Sequence, residues 1–170
     1  VEYEHKENYY DDFEDQVLLP HKLSQLGPAV AVGDVNGDGL EDFLVGGAHG
    51  YSPVLFKQTK NGAFKKIENP LKEHDKNFED VEALFFDVDN DNDLDLYMGS
   101  SGYEFTLSTG HLADRIYLND GNGNFTWSVN ALPDVKVSTG CVKPFDYDND
   151  GDLDLFVGGR LLPKMYPLSP

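Results

Sequence analysis

Three nine-residue acidic stretches recur in this chain, beginning at positions 34, 87 and 146. They read Asp34-Val-Asn-Gly-Asp-Gly-Leu-Glu-Asp42, Asp87-Val-Asp-Asn-Asp-Asn-Asp-Leu-Asp95 and Asp146-Tyr-Asp-Asn-Asp-Gly-Asp-Leu-Asp154. Each carries oxygen side chains at positions 1, 3, 5 and 9. Each runs at once into a short apolar segment ending in glycine: Phe43-Leu-Val-Gly46, Leu96-Tyr-Met-Gly99 and Leu155-Phe-Val-Gly158. Self-similarity at a period of roughly 50–60 residues points to a solenoid, propeller or array.

Alternate oxygens on a tight loop converge on one point, and a hard divalent cation takes six to eight of them at roughly 2.3–2.6 Å. The first loop offers Asp34, Asn36, Asp38, Asp42 and the carbonyl of Leu40. The second offers Asp87, Asp89, Asp91, Asp95 and the carbonyl of Asp93, and the third Asp146, Asp148, Asp150, Asp154 and the carbonyl of Asp152. Without a cation, carboxylates this close repel by about 1 kcal/mol per exposed pair at ~4 Å. Ca²⁺ fits this donor set, up to three ions in all. Mg²⁺ keeps its waters and demands an octahedral shell. Transition metals call for His or Cys, which the loops lack. An EF-hand is excluded, because position 12 is Val45, Met98 or Val157 instead of Glu, and the flanks read as strand. Gly39, Asn92 and Gly151 at position 6 suit a left-handed backbone. The plain alternative is three acidic turns without an ion, although a turn needs only one or two such residues.

A second element repeats with the first. Val54-Leu-Phe-Lys-Gln-Thr-Lys-Asn-Gly-Ala-Phe64 and Arg115-Ile-Tyr-Leu-Asn-Asp-Gly-Asn-Gly-Asn-Phe125 each place Asn-Gly between extended segments, a hairpin signal. One unit is thus two hairpins in series, and four antiparallel strands per unit make a propeller blade. Strands are expected near 29–33, 43–46, 54–57 and 63–67, then 82–86, 95–99, 115–118 and 124–128, then 141–145 and 154–158. The fold class is all-β: four-stranded blades with cation-binding first hairpins, about 2.5 blades in an incomplete propeller. Residues 1–28 form a lead-in, either docked on a blade or mobile. Blades occupy 29–170 (29–70, 82–130 and a partial 140–170). Residues 71–80 read as a solvated loop, 100–114 as an insertion, and 161–170 as strandless. Propellers close with about four to eight blades, so the chain is expected to be part of a longer protein or to be completed by other chains.

The motifs Asp-x-Asn-x-Asp-Gly-x-x-Asp followed by Phe-Leu-Val-Gly-Gly resemble the FG-GAP repeats of integrin α-subunit propellers. The second and third loops, ending Asp-Leu-Asp-Leu, are more similar to VCBS repeats. The hairpin Tyr117–Phe125 and the segment 158–167 resemble bacterial surface members and the cartilage acidic protein group. The resemblance covers roughly 29–167 and implies a calcium-stabilised β-propeller. It implies no particular activity.

The formal charge is −18, from 31 Asp and Glu against 13 Lys and Arg. Nucleic acid and anionic membranes are poor partners for such a surface. No stretch has the length of a membrane span. Loops of this kind suit compartments rich in free Ca²⁺, which places the chain outside the cell or at its surface, outer-membrane-associated if bacterial. Cys141, the single cysteine, is expected as a packed core thiol. The five histidines, His5, His21, His49, His74 and His111, form no metal-spaced pair. His49 and His111 could face the same end of the propeller. Tyr51, Tyr103 and Phe105 either pack over blade edges or meet a sugar or protein. Gln16–Pro20 should bury its apolar residues. The expected function is non-enzymatic: calcium-binding scaffolding or recognition of a protein or glycan at the cell surface, other parts of the same parent protein or complex being the expected partner. The alternative is part of a polysaccharide lyase or hydrolase drawing on His49, Tyr51, Tyr103, His111 and Arg160.

Overall fold

The computed structural model describes residues 1–68, 70–71 and 73–169. Asn69, Lys72, Pro170 and the side chains of Glu73 and His74 lie outside the described residues, so the expectations for 71–80 and for His74 are answered only in part. Ten strands form three antiparallel sheets in chain order. Blade 1 contains β1 (Val30–Gly33), β2 (Asp42–Val45), β3 (Val54–Gln58) and β4 (Phe64–Glu68). Blade 2 contains β5 (Glu79–Phe86), β6 (Asp95–Ser101), β7 (Arg115–Leu118) and β8 (Thr126–Trp127). Blade 3 has only the first hairpin, β9 (Ser138–Phe145) and β10 (Asp154–Leu161). Each acidic loop joins the first two strands of its blade, in register Gly33↔Asp42, Phe86↔Asp95 and Phe145↔Asp154.

The blades stack through their first strands, β1 beside β5 and β5 beside β9. Strand alternation makes this possible. On blade 2, Ala83, Phe85, Leu96, Met98 and Tyr117 join Ala31, Leu44 and Leu55 of blade 1. The residues between them, Phe86, Tyr97 and Ile116, face the other way and pack with Val142 of blade 3. A sheet covered on both faces has no polar side, and every residue of β6 is buried. Each large side chain so buried contributes about 1.5–3 kcal/mol.

The glycine closing each apolar run has a packing role. A Cβ at Gly46 would stand 2.7 Å from Asp80 Cβ, and one at Gly99 would stand 2.9 Å from Thr139 Cγ2 and from Glu82 Cβ. The next blade approaches closely at these points, through Asp80 and Thr139. At Gly158, on the outward side of blade 3, the nearest atom is the Sγ of Cys141 in the same hairpin, at 2.9 Å.

Four expectations need correction. Residues 71–80 are not a solvated loop: Glu73–Asn77 is a 3₁₀ helix, and Leu71, Asp75, Phe78, Glu79 and Asp80 are buried. The sequence is polar there because the buried carboxylates have partners. Arg115 Nη1 donates to Asp75 Oδ1 at 2.9 Å and its Nη2 to Asp80 Oδ1 at 2.5 Å, with the guanidinium 3.7 Å from the Phe78 ring centroid. Cys141 is exposed, not packed, because Val142 takes the face toward blade 2 and its neighbours must point away. Of Gln16–Pro20 only Leu19 is buried, while Val17 and Leu18 are exposed. The strand in the final segment extends to Leu161 before turns take over.

The lead-in is docked. Its one helical turn, α1 (Asp12–Asp15), is capped by Asp11, and Asp12 is fully buried, accepting from the amides of Leu23 and Ser24. Tyr3 packs edge-on against Phe56 of blade 1. Asn8 donates to Glu104 of blade 2. Gln16 donates to the Tyr166 carbonyl beyond β10 and accepts from the Tyr103 hydroxyl. The strap therefore touches all three blades. No described helix is long and apolar enough to cross a membrane.

Candidate functional site

The three acidic loops fold alike at the level of single hydrogen bonds. The position-1 carboxylate accepts from the amides of positions 5 and 6: Asp34 from Asp38 (3.2 Å) and Gly39 (2.7 Å), Asp87 from Asp91 (3.2 Å) and Asn92 (3.0 Å), Asp146 from Asp150 and Gly151 (both 3.2 Å). Position 5 accepts from the amide of position 7 in every loop. Position 9 reaches back to the amide of position 2, at 3.4 Å from Val35, 2.8 Å from Val88 and 2.8 Å from Tyr147. Both turns of the loop need a left-handed backbone: φ at position 6 is 81°, 71° and 98°, at Gly39, Asn92 and Gly151. Position 4 is left-handed too, at Gly37, Asn90 and Asn149. The recurrence of Gly or Asn there was a readable signal that the sequence argument passed over.

This wiring turns the side chains of alternate residues toward one another. Ligand oxygens of Asp87, Asp89 and Asp95 all fall within 4.8 Å of one another, as do those of Asp146, Asp148 and Asp154. The first loop, with Asn36 at position 3, shares the hydrogen-bond pattern but does not form an equally tight carboxylate group. The electrostatic cost is plain at Asp93, whose carboxyl is pushed up to about 6 by burial and by Asp91, Asp95, Asp89 and Asp87 around it. Its Oδ1 is buried without a hydrogen-bond partner. Burial also pushes the carboxyls of Asp42 and Asp95 up. The donor set is all oxygen, and the two tight acidic clusters could hold a metal ion.

The position-9 residue has a second task. The free oxygen of Asp42 accepts from the Gln58 amide at 2.7 Å, and that of Asp95 from the Asn119 amide at 2.8 Å. The first two acidic loops are thereby tied to the ends of their blades' third strands. Asn119 extends the tie to the neighbouring blade, its Nδ2 donating to the carbonyls of Val35 and Leu94 at 2.8 and 3.0 Å. Lys57 of blade 1 donates to the Asn122 carbonyl in the blade 2 hairpin at 2.6 Å. Asn119 and Lys57 were not singled out from sequence, because their partners are far away in the chain. Asp154, with no third strand beside it, is only half-buried, whereas Asp42 and Asp95 are buried.

The remaining candidates separate. His49 and His111 do come together, with ring centroids 6.1 Å apart and Phe105 in edge contact with both. Tyr103 is buried with Leu19, Leu23 and Leu161, and Phe105 is buried as well. Tyr51 is exposed and lines a groove of ≈ 290 Å³ with Tyr3, His5, Lys6, Lys66 and Glu68. Arg160 lies on β10, its Cβ against Gly140. Of the five groups that the enzymatic alternative draws on, His49 and His111 meet, while Tyr103 is buried in a different cluster, Tyr51 lines the groove and Arg160 lies on β10.

Comparison with curated proteins finds no match for this chain. A family model described as FG-GAP-like repeat matches twice, at residues 34–98 and 87–157, each match running from one acidic loop into the apolar segment after the next. With its threefold loop, its paired hairpins and these overlapping matches, the chain belongs to the FG-GAP-like repeat family.

Proposed function

We propose that this chain is a calcium-stabilised β-propeller segment of a secreted or cell-surface protein, acting as a scaffold that binds a protein or a glycan. The observation that carries the reading is the repeated loop, in which three separate sequences bring oxygen donors to the same relative positions through the same backbone bonds. Asp34, Asn36, Asp38, Asp42 and the Leu40 carbonyl would hold the first ion. The second would take Asp87, Asp89, Asp91, Asp95 and the Asp93 carbonyl, and the third Asp146, Asp148, Asp150, Asp154 and the Asp152 carbonyl. A cation there neutralises carboxylates that otherwise repel, so its binding free energy is folding free energy. FG-GAP repeats are typical of extracellular and surface proteins, where Ca²⁺ is plentiful enough to fill weak sites.

For the partner we assign the groove beside Tyr51. An exposed ring next to His5, Lys6, Lys66 and Glu68 offers both a stacking face and hydrogen-bonding groups. The non-enzymatic reading is favoured by the burial of Tyr103 with Leu19, Leu23 and Leu161 and by the place of Arg160 on β10, which leave His49 and His111 as the pair that meets. Thermal unfolding in Ca²⁺, in Mg²⁺ and in chelator tests the first part. The transition should rise in Ca²⁺ well beyond Mg²⁺, and an unaltered transition would defeat the calcium reading. A glycan array probed with wild type and Tyr51→Ala tests the second: equal signals from both would remove the groove from consideration.

A further inference from the structure

Away from the acidic loops, four chain segments bring polar atoms together that find no partner. Glu79 opens β5, Glu104 and His111 belong to the insertion between β6 and β7, His49 follows β2, and Glu7 comes from the N-terminal strap. Glu79 is 1% exposed, and its Oε2 accepts from the His49 amide at 2.9 Å. Its Oε1 is buried with no hydrogen-bond partner, and the same is true of Glu104 Oε2, Glu7 Oε2 and His111 Nδ1. The Glu104 side chain is 9% exposed, with its Oε1 4.0 Å from His49 Nδ1. The groups feel one another: Glu104 and Glu7 both act on the Glu79 carboxyl, and His49 and Glu104 both act on His111. Phe105 and Phe78 pack edge-on against the His111 ring, at 4.8 and 6.1 Å between centroids.

Buried polar atoms left unmatched cost about 1–3 kcal/mol each. Three of these are carboxylate oxygens. The fourth is the imidazole Nδ1 of His111, a ring whose charged form is disfavoured first by burial and then by the nearby His49. A set of acceptors calls for a positive occupant. Two imidazoles among the donors select against Ca²⁺ and Mg²⁺, which take oxygen, and favour the metals that imidazole suits. The spacing is compatible: two imidazoles on one ion, each with a metal–nitrogen distance near 2.0–2.1 Å, put their ring centres roughly 5–6 Å apart. Phe105 and Phe78 pack against the imidazoles and hold them in place.

We propose that His49, His111 and Glu104, with Glu79 behind them, bind one divalent transition-metal ion of the Zn²⁺ class. The site joins the strand-connecting loops of blades 1 and 2 and is separate from the acidic loops. Its donors stand wider apart than the carboxylates of Asp87, Asp89 and Asp95 or of Asp146, Asp148 and Asp154, which fall within 4.8 Å of one another. His49, whose side chain is 39% exposed, can turn to close the gap.

The test titrates the whole chain with Zn²⁺ against a chromophoric chelator, with Ca²⁺ held at saturation to occupy the acidic loops. Co²⁺ serves as a second probe for its visible absorption. Wild type should bind one equivalent, and the Co²⁺ form should show bands of nitrogen and oxygen ligation. His49→Gln and His111→Gln should each weaken binding by more than the roughly 10–100-fold expected from an outer partner, while His21→Gln, at an exposed site in the strap, leaves it unchanged. His49 is partly exposed, so His49→Gln remains informative if His111→Gln does not fold. No stoichiometric binding by wild type, or equal Zn²⁺ affinity in wild type and His49→Gln, would overturn the site.

Discussion

Replacing Arg115 by methionine should destabilise this protein more than any single change in the acidic loops. The guanidinium is fully buried between Asp75 and Asp80, with Phe78 across its face. Burial works against its charge, but Asp80, Tyr117 and Asp75 around it outweigh that and hold it protonated. Asp80 also accepts from the Gly47 amide of blade 1 at 2.9 Å, and Tyr117 donates to Asp75, so the network joins two blades. Methionine keeps the apolar stem and removes the charge. Two buried carboxylates then lose their counter-ion, and breaking such a pair costs about 3–5 kcal/mol. In a chain of this size 1 kcal/mol moves Tm by about 2–4 °C, so Tm should fall by roughly 6–20 °C. The assay is urea and thermal unfolding in saturating Ca²⁺. Asp75→Asn and Asp80→Asn, added to the Arg115→Met background, should recover most of the loss, because they remove the stranded charges. A loss below about 1 kcal/mol, or no recovery in the triple variant, would refute the claim that charge compensation is what the arginine supplies.

Gly99→Ala should cost about 1–3 kcal/mol in unfolding experiments, since its Cβ would press on Thr139 of the next blade, whereas Gly158→Ala should be nearly neutral because the one close contact is the end of the exposed Cys141 side chain, with Phe156 and the Cys141 carbonyl at ordinary distances. Asp89→Ala, at an exposed ligand position, should reduce the rise in Tm on adding Ca²⁺ and change little in chelator. Asp95→Ala should destabilise in both conditions, by about 1–3 kcal/mol in chelator, because the amides of Val88 and Asn119 lose their acceptor. In metal-stripped protein, Glu79 should shape the pH dependence of stability. Burial, with Glu104, Glu7 and Asp80 nearby, pushes its carboxyl up to about 8 from 4.5. The folded state therefore holds a proton that the unfolded state has released, and stability should fall as pH rises from about 4.5 to 8. Glu79→Gln should flatten that slope, and an identical pH profile for the variant would show that Glu79 is not responsible.

The periodic part of this fold was legible in the residues. Oxygen donors at positions 1, 3, 5 and 9 and the Asn-Gly hairpins depend on neighbours within about ten residues, and the strands fall close to where that spacing put them. The Asn-Gly turns differ in detail. In the first, Thr59 pairs with Ala63 and only Gly62 is left-handed, a longer connection than a two-residue turn. The glycines at 46, 99 and 158 were visible as a pattern, but the reason for the first two, the approach of the next blade, was not.

What the sequence by itself determined is local: the loops, the strand alternation that covers blade 2 on both faces, and the exclusion of an EF-hand. Tertiary structure alone decided the rest. Whether Asp75 and Asp80 belong to a solvated loop or a buried junction depends on Arg115, some 35–40 residues away. Cys141 is exposed because Val142 took the inner face. The meeting of His49 and His111 depends on the 100–114 insertion, whose length carries no period. Burial and pairing of polar groups are set by partners distant in the chain, and a charge reads the same in sequence whether solvent or a second charge answers it.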